Sequence, residues 1–460
     1  MEGFSDGGFA CGLAADGLPV VEPKRASVRA MLGDADPEAS LGACPPSNGA
    51  CHLWRVAACA VLAGCEPRQF PLVVAAVRAL LDDAFNAHGT GATTMGCAPL
   101  ILASGGAARA AGVNCGRACL GSGTRANACV GRALKLVLHH VGGASVGGTE
   151  STTIGTPAKF SACVGERDDV VAGGWGPYGG RGAPTCTLFP VTGMAQVVDF
   201  DTTDPKEVAK NIALTLAHAC WGARFPFCSS ALVLVSPEHY KTLQTEYATR
   251  QAFKKALFDY SNAAIVPHSG RAAATLAKAK GASPTVAALA GAVTPTLVSL
   301  AGAFGSAPVP KFESPESIHV AVCGGDAGKF SMICAGFGAG KPGMAAHRMS
   351  VPVSRPVAAL EPGTTGALPD GAVLDPRGAT PAPLALAPRS GRLEGAVGLL
   401  DISKGGGKVF LDGIEAFLRT AFEGVEIRRY AKPTFSRNCP AGLLDDVAAA
   451  CAHVVVGLAD

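Results

Sequence analysis

The C-terminal segment constrains the fold more strongly than any other part of the chain. Apolar runs at residues 396–402, 425–430 and 454–458 have the length and composition of buried strands. Between them, residues 409–421 and 443–452 have the hydrophobic period of helices. This alternation predicts a β-α-β-α-β unit, which is half of a flavodoxin-like, doubly wound parallel sheet with its helices on the sheet faces.

The third predicted strand ends close to Asp460, the last residue of the sequence. Ligand sites of open α/β sheets lie beyond the C-terminal ends of the strands. We therefore expect the functional loop of this unit to follow Asp460, so that the sequence is truncated just before it. Gly457 and Asp460 flank the expected loop and are candidate site residues.

The residues before 350 alternate between helical and strand patterns, which favours a mixed α/β body. Helices are expected from residue 52 onward and at residues 68–83, 126–141 and 205–220. Strands are expected at residues 197–200 and 231–235, and a strand or a buried turn is expected at residues 98–103. Residues 318–323 and 330–335 are expected to form a strand pair, joined by a glycine-rich hairpin turn.

The chain is therefore predicted to be an α/β protein with four parts. Residues 1–50 are rich in Gly, Pro and Asp and predict a poorly ordered lead-in. Residues 51–350 form the substrate-binding body, and residues 351–392 form a Pro/Gly-rich linker. Residues 393–460 form the incomplete flavodoxin-like domain.

Charge and hydropathy exclude several classes of partner. The net charge is +3, without a basic run or interleaved aromatic residues, so no nucleic-acid partner is expected. The N-terminus has no secretory signal. The uncharged, Ala-rich segment at residues 281–310 contains Pro284, Pro295 and Pro308, which favours an insertion rather than a membrane span. We therefore expect a small-molecule substrate and no membrane.

The cysteines indicate a reducing compartment. The chain has 17 cysteines, an odd number, and none has C-x-x-C spacing. This pattern predicts neither a disulfide framework nor a zinc site, and it favours free, mostly buried thiols in a cytoplasmic protein. No metal-binding motif is present, and no nucleotide-binding motif is complete, so no cofactor is predicted.

A glycine-rich segment leads directly into the predicted helix at residues 126–141. Its backbone N–H groups and the helix N-terminus could bind an anion, with Arg125 adding a contact to a carboxylate or phosphate. The candidate ligand-binding residues are Gly121, Gly123, Arg125 and Asn127. The alternative is an ordinary helix start with glycine in the turn.

Three residues are candidates for acid–base catalysis. His88 lies in a polar loop before an apolar run, and loops of this kind often carry function. Lys159 and Glu166 flank a short apolar run and could exchange protons with a substrate. The alternatives are a hydrogen-bonded structural histidine and a solvated ion pair.

The C-terminal segment also resembles a known family. Residues 430–436, 443–447 and 454–460 resemble the UGSC-motif family, which is named after a tetrapeptide in which U is selenocysteine and some members have cysteine. Similar strings occur in the same order in the body, at residues 92–94, 98–100, 125–128, 131–134, 155–159, 236–239 and 324–331. The resemblance implies that the tetrapeptide follows Asp460, where a UGA codon would encode selenocysteine.

The resemblance implies a thiol- or selenol-based redox protein that acts on a small anionic metabolite or thiol, with its redox motif missing from this chain. A selenol would be anionic and nucleophilic at neutral pH, and the cysteine of the tetrapeptide could resolve a mixed selenide-sulfide. A thiol reductant is then a candidate partner. Two alternatives remain: a small-molecule lyase or hydrolase with its site in the N-terminal body, and a non-catalytic protein that binds a small ligand.

Overall fold

The computed structural model describes residues 16–180, 182–222, 228–263, 311–338, 350–363, 366–377, 393–404, 406–435 and 437–457. The Ala-rich segment at residues 281–310 lies outside these residues. The chain divides into two units, Met1–Ala379 and Thr380–Asp460, each with its own internal contacts. The division falls inside the range predicted as a linker.

The first unit contains ten helices and nine strands within the described residues. The helices are α1 (Arg25–Leu32), α2 (Leu53–Ala63), α3 (Phe70–Leu80), α4 (Ala87–Ala92), α5 (Ala107–Ala111), α6 (Arg125–His140), α7 (Asp168–Val171), α8 (Pro205–Ala219), α9 (Pro237–Leu243) and α10 (Arg250–Ala263). The strands are β1 (Ser40–Cys44), β2 (Gly49–His52), β3 (Ala98–Ser104), β4 (Cys163–Gly165), β5 (Thr185–Val198), β6 (Ala231–Val235), β7 (Ile318–Val322), β8 (Phe330–Gly336) and β9 (Val353–Pro356).

Seven of these strands form one mixed sheet in the order β4-β3-β5-β8-β6-β7, with β9 paired to β5. Its two ends approach each other directly after β4. Glu166 N donates a hydrogen bond to Ala103 O on β3 (2.8 Å), and Arg167 N donates one to Val322 O on β7 (2.8 Å). The sheet is therefore curled, with an inner face and an outer face.

The two faces of the curled sheet build separate cores. The inner face packs mainly strand side chains against each other, among them Leu100, Phe189 and Leu234. On the outer face, α2, α3 and α6 cover one part of the sheet, while α8, α9 and α10 cover the other. The structure thus confirms the predicted α/β fold class.

Three details differ from the sequence-based expectations. Residues 318–322 and 330–336 are not a hairpin, because β6 lies between β7 and β8 and pairs with both. The segment expected to be a poorly ordered lead-in contains α1 and the antiparallel β1–β2 pair. The first part of the predicted linker, β9, adds to the main sheet by pairing with β5.

The described residues of the second unit form three strands and two helices. The strands are β10 (Val397–Asp401), β11 (Ile427–Ala431) and β12 (His453–Gly457), and the helices are α11 (Gly407–Ala421) and α12 (Ala441–Ala450). The sheet order is β11-β10-β12, and both strand pairs are parallel. This confirms the predicted β-α-β-α-β unit.

The end of β12 packs closely against α11. A Cβ atom at Gly457 would come within 2.9 Å of Leu411 Cδ2 and 3.0 Å of Phe410 Cδ1, so a larger residue would require these two side chains to move. Asp460, the other candidate residue at this edge, lies outside the described residues.

No helix in the described ranges combines the length and the apolar character needed to cross a membrane.

Candidate active site

A pocket of about 320 Å³ in the first unit brings several charged side chains together. We call it the Lys135 pocket. One wall is the C-terminal half of α6, and the other is the irregular segment that follows this helix. Its lining residues are Asp16, Lys135, Leu136, His139, Ala144, Val146, Glu150, Thr152, Gly155, Lys159 and Phe160.

The amphipathic pattern of α6 places basic residues on the pocket side. Arg132, Lys135 and His139 are separated by three and four positions and therefore share one face of the helix. A different stripe, with Leu134 and Leu138, is buried in the core. Arg132 fixes the edge of the pocket because its Nε and one Nη lie 2.6 and 2.9 Å from the carboxylate oxygens of Asp16.

The opposite wall carries an ion pair. Lys159 Nζ lies 2.8 Å from both carboxylate oxygens of Glu150, and the two side chains are only 15 % and 11 % exposed. The Thr152 hydroxyl donates its hydrogen bond to Glu150 and lies 3.1 Å from Met95 O. Burial opposes ionisation of Glu150, but the bonds from Lys159 and Thr152 and the charge of Lys159 lower its pKa overall.

Lys135 is the charged residue of the pocket whose charge is not neutralised by an ion-pair partner within the described residues. Among the described residues, its amine has no hydrogen-bond or ion-pair partner, whereas Asp16 and Glu150 are paired with Arg132 and Lys159. Burial, and then the positive charge of Lys159, lower the pKa of Lys135 to about 8. A substantial fraction of the amine is therefore neutral and nucleophilic in mildly alkaline solution.

His139 lies one helical turn after Lys135 and completes the reactive groups. Burial, and then the charge of Lys135, lower the pKa of His139 below 6.5. Its imidazole is therefore mostly neutral at pH 7 and can accept a proton. The pocket thus combines a nucleophilic amine, a proton acceptor and a buried ion pair, with apolar walls at Leu136 and Phe160.

Of the three candidates for acid–base catalysis, only Lys159 lines the Lys135 pocket. Glu166 is fully buried, with Oε1 2.9 Å from Arg250 Nη2 and Oε2 2.6 Å from the N–H of Tyr178. Burial raises the pKa of Glu166 to about 7. His88 lies on the short helix α4, away from this pocket.

The candidate anion-binding residues do not line the Lys135 pocket either. Gly121 and Gly123 are exposed before α6, and Arg125 donates a hydrogen bond to Gly64 O (3.2 Å). Asn127 is buried, and its side-chain amide bonds the backbone of Asn114 and Cys119 at 2.8–2.9 Å. These contacts give Asn127 a structural role; anion binding by the group remains a prediction.

Sequence reasoning missed Lys135, His139 and Glu150. The available signal was the spacing of Arg132, Lys135 and His139, which defines a basic face beside the apolar stripe of the helix. The position of Glu150 had no comparable signal, because the turns after α6 determine it.

The second unit is half of a doubly wound α/β fold, and its sequence matches a known family. The family model of the UGSC family matches residues 372–460. The resemblance of this segment to the UGSC family is therefore confirmed. No curated protein and no solved structure matches the chain.

Proposed function

We propose that the protein is an enzyme of the lyase class that activates a small, anionic carbonyl compound through an imine with Lys135. The observation that carries this proposal is the half-buried amine of Lys135, unpaired among the described residues, in a pocket beside the Lys159–Glu150 ion pair. A lysine that is desolvated and close to a second cation is a recurring form of nucleophilic amine.

The charges of the pocket favour an anionic substrate. Because the carboxylates of Asp16 and Glu150 each have a cationic partner, protonated Lys135 leaves the pocket with one uncompensated positive charge. A substrate carboxylate would balance that charge and could accept a hydrogen bond from the Lys159 ammonium. The apolar side chains of Leu136 and Phe160 suit the carbon part of a small metabolite.

The proposed reaction begins with attack of neutral Lys135 Nζ on the carbonyl carbon. A C–N bond forms, the carbonyl oxygen takes up one proton from the amine and one from solvent and leaves as water, and a protonated imine remains. This cation accepts the electron pair of the neighbouring C–C or C–H bond, so that bond breaks and an enamine forms. The departing group leaves as an aldehyde or carbon dioxide from a C–C bond, or as a proton from a C–H bond, and protonation of the enamine restores the imine. His139 is placed to accept or return a proton, and hydrolysis of the imine releases the product and regenerates Lys135.

The test uses pyruvate as the carbonyl probe and cyanoborohydride to reduce any imine to a stable amine. At pH 7.5 we expect peptide mass mapping to find the adduct on Lys135 well before it appears on exposed lysines such as Lys241. Lys135→Arg should lose the adduct, and the matched control Lys241→Arg should keep it.

Two outcomes would contradict the proposal. Modification spread over surface lysines, without preference for Lys135, would show that Lys135 is not an activated nucleophile. Stabilisation of the protein by pyruvate without any adduct would instead favour the non-catalytic binding protein.

The redox function implied by the family resemblance remains a separate prediction. It depends on a selenocysteine or cysteine after Asp460 and on none of the residues that line the Lys135 pocket.

A further inference from the structure

Another cavity of the first unit, of about 330 Å³, lies beside the β5–β8 pair. We call it the Trp221 pocket. Its walls come from the segment that follows α4, the segment that follows α6, the β5–β8 pair and the end of α8. It shares no lining residue with the Lys135 pocket. Its volume falls at the lower end of the range of small-molecule sites, which is about 300–1,000 Å³.

Trp221 is the largest side chain of this pocket, and its backbone has an unusual conformation. Its φ is 61°, a left-handed value that bulky residues rarely adopt. The indole N–H donates a hydrogen bond to Gly336 O at 2.8 Å, and the ring lies 6.4 Å from the ring of Phe337, measured between centroids. Strained backbone of this kind is concentrated at ligand-binding sites, where the surrounding structure holds it in place. The fold thus fixes a half-buried indole at the pocket.

An irregularity of β5 forms another wall of the Trp221 pocket. Val191 pairs with Gly336 and Gly193 pairs with Ala335, so Thr192 is an extra residue on β5. A bulge of this kind redirects a side chain and is frequent beside functional sites. A Cβ atom at Gly193 would meet no atom within 4 Å, so this position faces open space. The main sheet therefore leaves room for a ligand at this point.

Two exposed threonines supply the polar groups of the remaining walls. Thr94 belongs to the polar segment that begins at His88, and its carbonyl oxygen accepts a hydrogen bond from Thr153 N at 2.9 Å. The hydroxyls of Thr94 and Thr153 have no hydrogen-bond partner within the described residues. A threonine hydroxyl can donate one hydrogen bond and accept two. Both hydroxyls are therefore available to a ligand.

The Trp221 pocket offers no charge to a ligand. Among the described residues, those that line it carry no ionisable side chain. A charged group of a ligand would lose water there without gaining a charged partner, and this is energetically costly. The pocket therefore differs from the Lys135 pocket, whose side chains favour an anion, and it is suited to a neutral ligand.

We propose that the Trp221 pocket binds a neutral monosaccharide. A pyranose ring has a face of C–H groups, which packs on the indole of Trp221, and a rim of hydroxyls, which exchange hydrogen bonds with Thr94 and Thr153. The apolar side chains of Met95 and Ile154 also line the pocket and suit the carbon skeleton of the sugar. None of these contacts requires a charge on the ligand. The site is separate from the Lys135 pocket and does not depend on the proposed imine chemistry.

The test is a titration of the full chain with glucose, galactose and mannose, followed by tryptophan fluorescence. The chain has three tryptophans, and Trp54 and Trp175 are only 8 % and 9 % exposed, so Trp221 should dominate any change on binding. We expect a saturable change in emission with at least one of these sugars, and Trp221→Phe should abolish it. Glucuronate and glucose 6-phosphate, which are charged, should bind about tenfold or more weakly than the neutral sugar.

Variants then locate the binding site. Gly193→Leu fills the pocket and should abolish the saturable response, whereas the matched control Gly173→Leu, at an exposed glycine whose added Cβ would also meet no atom within 4 Å, should keep it. Thr153→Val preserves the shape of an exposed side chain and should weaken binding about 3- to 10-fold through the lost hydrogen bond. The proposal is wrong if none of the three neutral sugars gives a saturable response, if Gly193→Leu and Thr153→Val bind as tightly as the unchanged protein, or if the charged sugars bind as tightly as the neutral ones.

Discussion

Lys159→Met is expected to raise the pKa of Lys135 from about 8 toward the ordinary lysine value of 10.5. The variant removes the neighbouring positive charge and leaves the Glu150 carboxylate, now without its lysine, available to the Lys135 ammonium. At pH 7, each unit of increase lowers the neutral fraction of the amine about tenfold. Trapping of pyruvate on Lys135 should therefore become about 10- to 100-fold slower.

Glu150→Gln should have the opposite effect. It removes the one charge of the pair that favours protonated Lys135, so the pKa of Lys135 should fall further and trapping at pH 7 should become faster. The measurement is the rate of trapping against pH for both variants, with Lys241→Met as the surface control. Changes in the same direction for both variants would contradict electrostatic control by this ion pair.

Glu166→Leu is expected to lower the free energy of unfolding by about 3–5 kcal/mol. The change removes a fully buried carboxylate and leaves the guanidinium of Arg250, which is 14 % exposed, with Gly176 O as a remaining acceptor at 2.7 Å. It also removes the acceptor for the N–H of Tyr178. A buried charge that loses its partner costs far more than an exposed one.

The measurement is urea denaturation of Glu166→Leu beside Glu207→Leu. Glu207 pairs with Lys210 at the surface, so its loss should cost less than about 1 kcal/mol. The double variant Glu166→Leu/Arg250→Leu should recover much of the lost stability, because no unpaired charge remains. Equal, small losses for the two single variants would mean that the buried pair of Glu166 and Arg250 contributes no more to stability than a surface ion pair.

The fold was predictable where elements close together in the sequence form one small sheet. In the second unit, β10 pairs with β11 on one side and with β12 on the other, and right-handed crossovers of a single helix connect the three strands, so the hydrophobic period indicated the arrangement. The main sheet was not predictable in this way. The insertion of β6 between β7 and β8 joins strands that are distant in sequence, and no local pattern encodes such a pairing.

The site was predictable only in part, for a related reason. Lys159 was identified by its residue type and position, but its partner Glu150 is brought to it by the turns that follow α6. The apolar stripe of α6 predicted the helix and its buried face. Because Lys135 lies outside this stripe, the pattern predicted an ordinary exposed lysine. Glu166 had the residue type of a catalytic acid, but the curled sheet buries it beside Arg250.

The most direct test of the central claim is the pH dependence of pyruvate trapping on Lys135 in the unchanged protein. Since the neutral amine is the reactive form, the rate should follow the titration of Lys135 and reach half its maximum near pH 8. A rate that continues to rise to pH 10 and has its midpoint near 10.5 would show that Lys135 is an ordinary lysine, and it would contradict the account of the pocket as an active site.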